Sequence, residues 1–111
     1  MNIVNLTPHP ITIVMPDATV FTIKPDGTLA RVAAIKTPLP PANGIPVNAT
    51  SYGVVVGLPR PNDGVGYIVS ALVRLAVPHR TDVYSPGELV RDASNQVVGC
   101  RSLEANAPNR Q

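Results

Sequence analysis

Tryptophan is absent from this 111-residue chain, cysteine and phenylalanine occur once each, and charged residues make up only 14% of it. Each scarcity excludes something. A single thiol, Cys100, closes no intramolecular disulfide, and with two isolated histidines it falls short of any metal-ligand spacing, so neither metal nor cofactor is expected. Phe21, Tyr52, Tyr67 and Tyr84 are the only aromatic residues and none stands in a basic stripe, which removes the stacking platforms of single-strand binders. A net charge of +2 is too small for a footprint on polymeric nucleic acid. No apolar run approaches the roughly 18 residues of a spanning helix. The opening Met1-Asn2-Ile3-Val4-Asn5 has neither the basic nor the apolar region of a signal peptide, so a cytoplasmic protein is expected.

What is present is apolar. Hydrophobic residues are 44% of a chain long enough for one domain. With so few charges on so small a domain, some apolar surface should meet a second copy or a partner, and a homo-oligomer is expected. Seven of the nine basic residues are Arg, only Lys24 and Lys36 being Lys. A planar fork of donors suits phosphate and carboxylate, although a GC-rich genome gives the same bias.

Thirteen prolines and eight glycines cut the chain into short pieces. Strands are expected over 3–6, 11–15 and 19–23, the last two as a hairpin, then a Pro25-Asp26-Gly27 turn and a strand over 30–35. Thr37 to Pro46 reads as a stiff loop, and Ser51 to Gly57 as a central strand, because Tyr52-Gly53-Val54-Val55-Val56 is apolar on both faces. After the irregular 58–66 and the strand Tyr67-Ile68-Val69, the spacing turns helical. Ser70 as N-cap and Pro78 as stop predict one helix of about two turns. Extended chain over 82–84, a Ser85-Pro86-Gly87 turn, a strand over 89–91, a Ser94-Asn95 turn and a strand over 97–103 complete the pattern. The expected fold is mainly β: a barrel- or sandwich-like domain over 1–103 with about eight short strands and one short helix, followed by a polar, mobile tail over 104–111.

The polar residues gather at two places, Asn5 to Pro10 and Ser70 to Asp92. Ser70 at a helix start offers a hydroxyl beside unpaired N–H groups, with Arg74 one turn on and His79 and Arg80 just beyond the helix; it equally serves as a plain cap. In extended chain Arg80 and Asp82 share a face, so Asp82 either orients the Arg80 fork toward an anion or forms a structural ion pair with it. His9, between Pro8 and Pro10, is an imidazole in a fixed direction or a hydrogen-bonded corner. Cys100 lies in a strand-like run without a nucleophile signature and reads as a small buried hydrophobe. Arg31 and Arg91 join Arg74 and Arg80 as further candidate anion ligands. Arg80 is the residue expected to carry direct contact.

Asn5-Leu6-Thr7-Pro8-His9, Ala30-Arg31-Val32, Gly57-Leu58-Pro59, Tyr67-Ile68-Val69-Ser70, Arg80-Thr81-Asp82, Arg91-Asp92 and Gly99-Cys100 together resemble a group of small proteins of tailed phages and prophages, over nearly the whole chain. The resemblance implies phage origin and the cytoplasm of an infected bacterium; it implies no reaction. Some small phage proteins are oligomeric sponges for the cyclic nucleotide or ADP-ribose-derived signals of bacterial immunity, and the present chain is similar to them in physical character. Three readings follow: a non-catalytic binder of a small phosphorylated molecule such as a nucleotide signal, a minor virion or assembly component, and a small hydrolase using His9 or His79.

Overall fold

The computed structural model describes residues 1–108. The protein is mainly β, with eight strands and one short helix, as its alternating aliphatic runs and closely spaced prolines predict. The strands are β1 (Asn2–Asn5), β2 (Ile11–Val14), β3 (Val20–Ile23), β4 (Arg31–Ala42), β5 (Ile45–Val56), β6 (Val65–Ile68), β7 (Val83–Arg91) and β8 (Val97–Ala105), with helix α1 (Ala71–Ala76) between β6 and β7. Six of them form one mixed sheet in the order β1-β6-β7-β8-β2-β3, and β4 and β5 form a separate two-stranded sheet. The two ends of the large sheet are linked by the chain just past β3. Pro25, just past β3, bridges to Asn5 at the end of β1, and the Asp26 N–H donates to the Asn5 carbonyl at 2.8 Å.

The core lies between this sheet, α1 and the base of the β4–β5 hairpin. Leu6, Ala30, Tyr67, Val69, Val73 and Val83 are buried together, and Val32 and Val55 pack against them from the hairpin. Helix α1 contributes only Val73 to the buried set, which is what six residues with one inward stripe can offer. Ile13, Ile68 and Cys100 are buried outside that cluster. Ile68 alternates with Tyr67 and Val69, so a strand buried on both faces carries the chain into the helix.

Four expectations are corrected. Thr37 to Pro46 is not a loop; it forms the outer half of a long hairpin, in which β4 and β5 pair antiparallel from Arg31 opposite Val56 to Ala42 opposite Ile45. The reversal is Asn43-Gly44, both at positive φ (51° and 76°), the two-residue turn whose twist matches that of the strands it joins. Prolines are tolerated because both strands are edges. The Val-rich strand is accordingly not central: Val54 is 84% exposed and Tyr52 51%. Ser85-Pro86-Gly87 does not turn but lies within β7, with Pro86 opposite Leu103; β6 pairs with β7 only as far as Tyr84, so among the described residues Pro86 has no strand on its other side. Finally, Glu104 and Ala105 belong to β8 and Asn106 is bonded to the helix end, so the expected tail is ordered at its start; its residues 109–111 lie outside the described part.

Candidate functional site

Arg80 and Asp82 form the ion pair expected of their spacing. The Arg80 Nε and Nη2 donate to the two Asp82 carboxylate oxygens at 2.8 Å each, and Nη2 also donates to the Pro59 carbonyl at 2.9 Å. Three of the five guanidinium N–H groups are thus engaged within the chain, tying the segment after α1 to the loop before β6. Only Nη1 remains, so no two-pronged edge is left for a ligand. The pair is one-fifth exposed. The Arg80 guanidinium holds the Asp82 carboxyl below the usual carboxylate range, chiefly through these hydrogen bonds and against the opposing effect of burial.

Arg74 differs. It leaves α1 half-buried, with Nε donating to Ser85 Oγ at 2.8 Å and Nη1 to Asn106 Oδ1 at 3.2 Å. Both acceptors are neutral, and Ser85 is buried at 1% exposure. The sole ion pair among the described residues is Arg80–Asp82, so the Arg74 charge is compensated by no carboxylate there. Three of its five N–H groups find no acceptor among the described residues. The guanidinium is thus fixed by neutral partners and has donors to spare.

Asn106 joins the two arginines. Its Oδ1 accepts from Arg74, and its Nδ2 lies 3.1, 2.9 and 3.0 Å from the carbonyls of Arg74, Val77 and Arg80. It thereby joins carbonyls at the end of α1 and in the turn beyond it. At the other end Ser70 caps the helix, its Oγ accepting from the Val73 N–H at 3.2 Å. The helix runs from Ser70 to before Pro78 as expected, and the Ser70 hydroxyl is occupied by its own helix. His79 is exposed on the turn after α1.

The remaining candidates lie elsewhere in the fold. Arg31 is exposed at the base of β4. Arg91, also exposed, closes the turn after β7 by donating to the Asn95 carbonyl at 3.0 Å. The imidazole of His9 is exposed beside a largely apolar cleft of about 320 Å³ whose walls include Ile11, Leu89, Val97 and Cys100. Cys100 is nearly inaccessible at 1% exposure, and burial pushes its thiol pKa up, away from the reactive thiolate. The structure therefore brings Arg74, His79, Arg80 and Asp82 to one end of α1, with Ser70 one helix-length away, and places His9, Arg31 and Arg91 on other elements. Among the described residues no three metal-ligating side chains gather, and no helix is long and apolar enough to cross a membrane.

Sequence reasoning missed Asn5, Ser85 and Asn106 as organising residues. Asn5, 1% exposed, meets all its hydrogen-bonding capacity. Its Nδ2 donates to the His9 and Ile23 carbonyls at 2.8 and 2.9 Å, and its Oδ1 accepts from the Thr7 N–H and hydroxyl at 2.9 and 2.7 Å. The Asn5-Leu6-Thr7-Pro8-His9 segment is thus a lock at the junction of β1 and β3, with the His9 carbonyl as its working part. An Asn two residues before a Thr, followed by Pro, is a recognisable signal for such a side-chain turn. Nothing local in the sequence marks Asn106. Compared with known proteins, the chain matches no family model, no curated protein and no solved structure.

Proposed function

We propose that the protein binds a small phosphorylated molecule through Arg74, at the end of α1 bordered by Asn106, Arg80 and His79. The observation that carries this reading is the half-buried Arg74 guanidinium, oriented by Ser85 and Asn106 and without a carboxylate partner among the described residues. The resemblance to phage proteins extends it: the ligand is a nucleotide-type signal of host immunity, a cyclic nucleotide or an ADP-ribose derivative, sequestered without turnover in the cytoplasm of an infected bacterium. Calorimetric titration against such a panel tests it. Arg74→Ala should lower affinity by about 2 to 5 kcal/mol, and Arg74→Lys should restore little of it, because a point charge does not replace a fork held at Nε. Arg80→Ala, by contrast, should lower the melting temperature and leave affinity largely intact. Unchanged binding by a folded Arg74→Ala protein would contradict the proposal.

A second reading, a minor virion or assembly component, is supported by the projecting β4–β5 hairpin, whose exposed apolar side chains include Ile35, Leu39, Ile45 and Val54. The hydrolase reading has no comparable support: His9 and His79 are exposed, and neither pairs with a carboxylate among the described residues.

A further inference from the structure

The β4–β5 hairpin is a poor free-standing object. Two strands alone are marginal in water, and here each runs for twelve residues with packing only near the base. The surface of the chain is 7767 Å², whereas a compact monomer of its mass exposes about 5,900 Å². The excess is more than twice the roughly 800 Å² that each partner contributes to an interface of standard size. The radius of gyration, 16.9 Å against about 13 Å for a compact chain of this length, tells the same story of a projecting element.

The two edges of the hairpin are not equivalent. A proline fits a strand only where its nitrogen faces away from the neighbour, so Pro38, opposite Asn48, points its nitrogen outward from β4. By alternation, Lys36 and Ala34 also turn their backbone groups outward on β4, and Asn48, Thr50 and Tyr52 do so on β5. The β4 edge therefore carries Pro38 and Lys36, with Pro40, Pro41 and Arg31 on the same strand. Proline and cationic side chains are the devices that keep an edge from pairing. On β5 the one proline, Pro46, sits beside the turn; from Val47 to Val56 the edge carries neither proline nor charge, and Thr50, Tyr52 and Val54 to Val56 are residue types suited to strands. The β4 edge is protected along its length, and the β5 edge is left open beyond Pro46.

We infer that the open edge of β5 pairs antiparallel with β5 of a second copy about a two-fold axis at Thr50. The pairing places Thr50 opposite the partner's Thr50, and Asn48 opposite the partner's Tyr52, so the outward N–H and C=O groups of all three residues are satisfied at once. The product is a four-stranded sheet whose outer edges are both the proline-bearing β4. Self-association suits this segment because it contains no charge to repel its own copy. The nearest cation on the same face, Lys36, lies opposite Thr50 within the hairpin. In the dimer the two Lys36 strands are three spacings apart, about 14 Å, beyond the screening length of about 8 Å. The inference rests on the arm alone and is independent of Arg74.

Light scattering and sedimentation equilibrium on the full chain test it. The wild type should have an even multiple of the 11.7 kDa chain mass. Thr50→Pro removes an N–H that the isolated hairpin does not use and should halve that mass, weakening association by at least about a hundredfold. Lys36→Pro makes the same change on the protected edge and should leave the mass unaltered. Should Thr50→Pro disturb the hairpin itself, Thr50→Lys decides, since it sets two ammonium groups against each other on the axis and should also halve the mass. A monomeric wild type at high micromolar concentration, or Thr50→Lys as tightly associated as the wild type, would overturn the inference. Either result leaves the Arg74 titration to succeed or fail by itself.

Discussion

Replacing Asn106 by alanine tests whether the segment after β8 is part of the fold, and its effect can be worked out bond by bond. The Nδ2 group has two hydrogens and faces three carbonyls. Two of these keep another donor after truncation, since the Arg74 carbonyl also accepts from the Val77 N–H and the Val77 carbonyl from the Arg80 N–H. The Arg80 carbonyl has no other donor among the described residues, and Arg74 loses the acceptor for Nη1. One orphaned carbonyl and one weakened charged hydrogen bond cost about 2 kcal/mol in sum, the site being only partly shielded from water. For a domain of this size that lowers the melting temperature by about 8 to 12 °C. Asn106→Asp sharpens the test. It is nearly isosteric and adds a charge beside Arg74, but it turns an oxygen toward three carbonyls, so it should cost more than the alanine variant. Scanning calorimetry with urea titration at neutral pH reads both. An Asn106→Ala loss below about 0.5 kcal/mol, or a stabilised Asn106→Asp, would refute the assignment.

Three further outcomes are expected. Asn5→Ala should cost about 2 to 4 kcal/mol, measured by urea unfolding, because it removes the acceptor of the Thr7 N–H and a donor from each of the His9 and Ile23 carbonyls, while the Thr7 hydroxyl and the His9 carbonyl keep each other. The Asp82 carboxyl has its pKa depressed in the fold by Arg80, so its contribution is present above the unfolded-state value near 3.9 and is lost as pH falls through the lower folded value; Asp82→Asn should cost about 1 to 2 kcal/mol at pH 7 and flatten the acid limb of the stability profile. Cys100, at 1% exposure and with a raised pKa, should resist alkylation in the native protein at neutral pH and react at its full rate only in denaturant, as thiol titration will show.

The sequence was most legible where local chemistry decides. Period-two alternation and short turns placed the β2–β3 hairpin, and Ser70 and Pro78 bounded the helix, because caps and prolines act within a few residues. The long hairpin was missed because four prolines outweighed Asn43-Gly44, although edge strands tolerate proline and that dipeptide favours a two-residue reversal. Apolarity on both faces made β5 read as central, but it reflects an arm open on both sides. At the candidate site the spacing of Arg80 and Asp82 revealed their pairing but not its completeness, which depends on Pro59 from a distant loop. The distinction between Arg74 and Arg80 lies in Ser85 and Asn106, eleven and thirty-two residues from Arg74, and no local pattern carries such contacts.

The most direct test of the account is a native mass spectrum of the protein recovered from bacteria that are producing nucleotide immune signals, wild type beside Arg74→Ala. The account predicts an intact phosphorylated small molecule retained by the wild type and absent from the folded Arg74→Ala protein. A ligand-free wild type under these conditions, or the same ligand retained by both proteins, would contradict it.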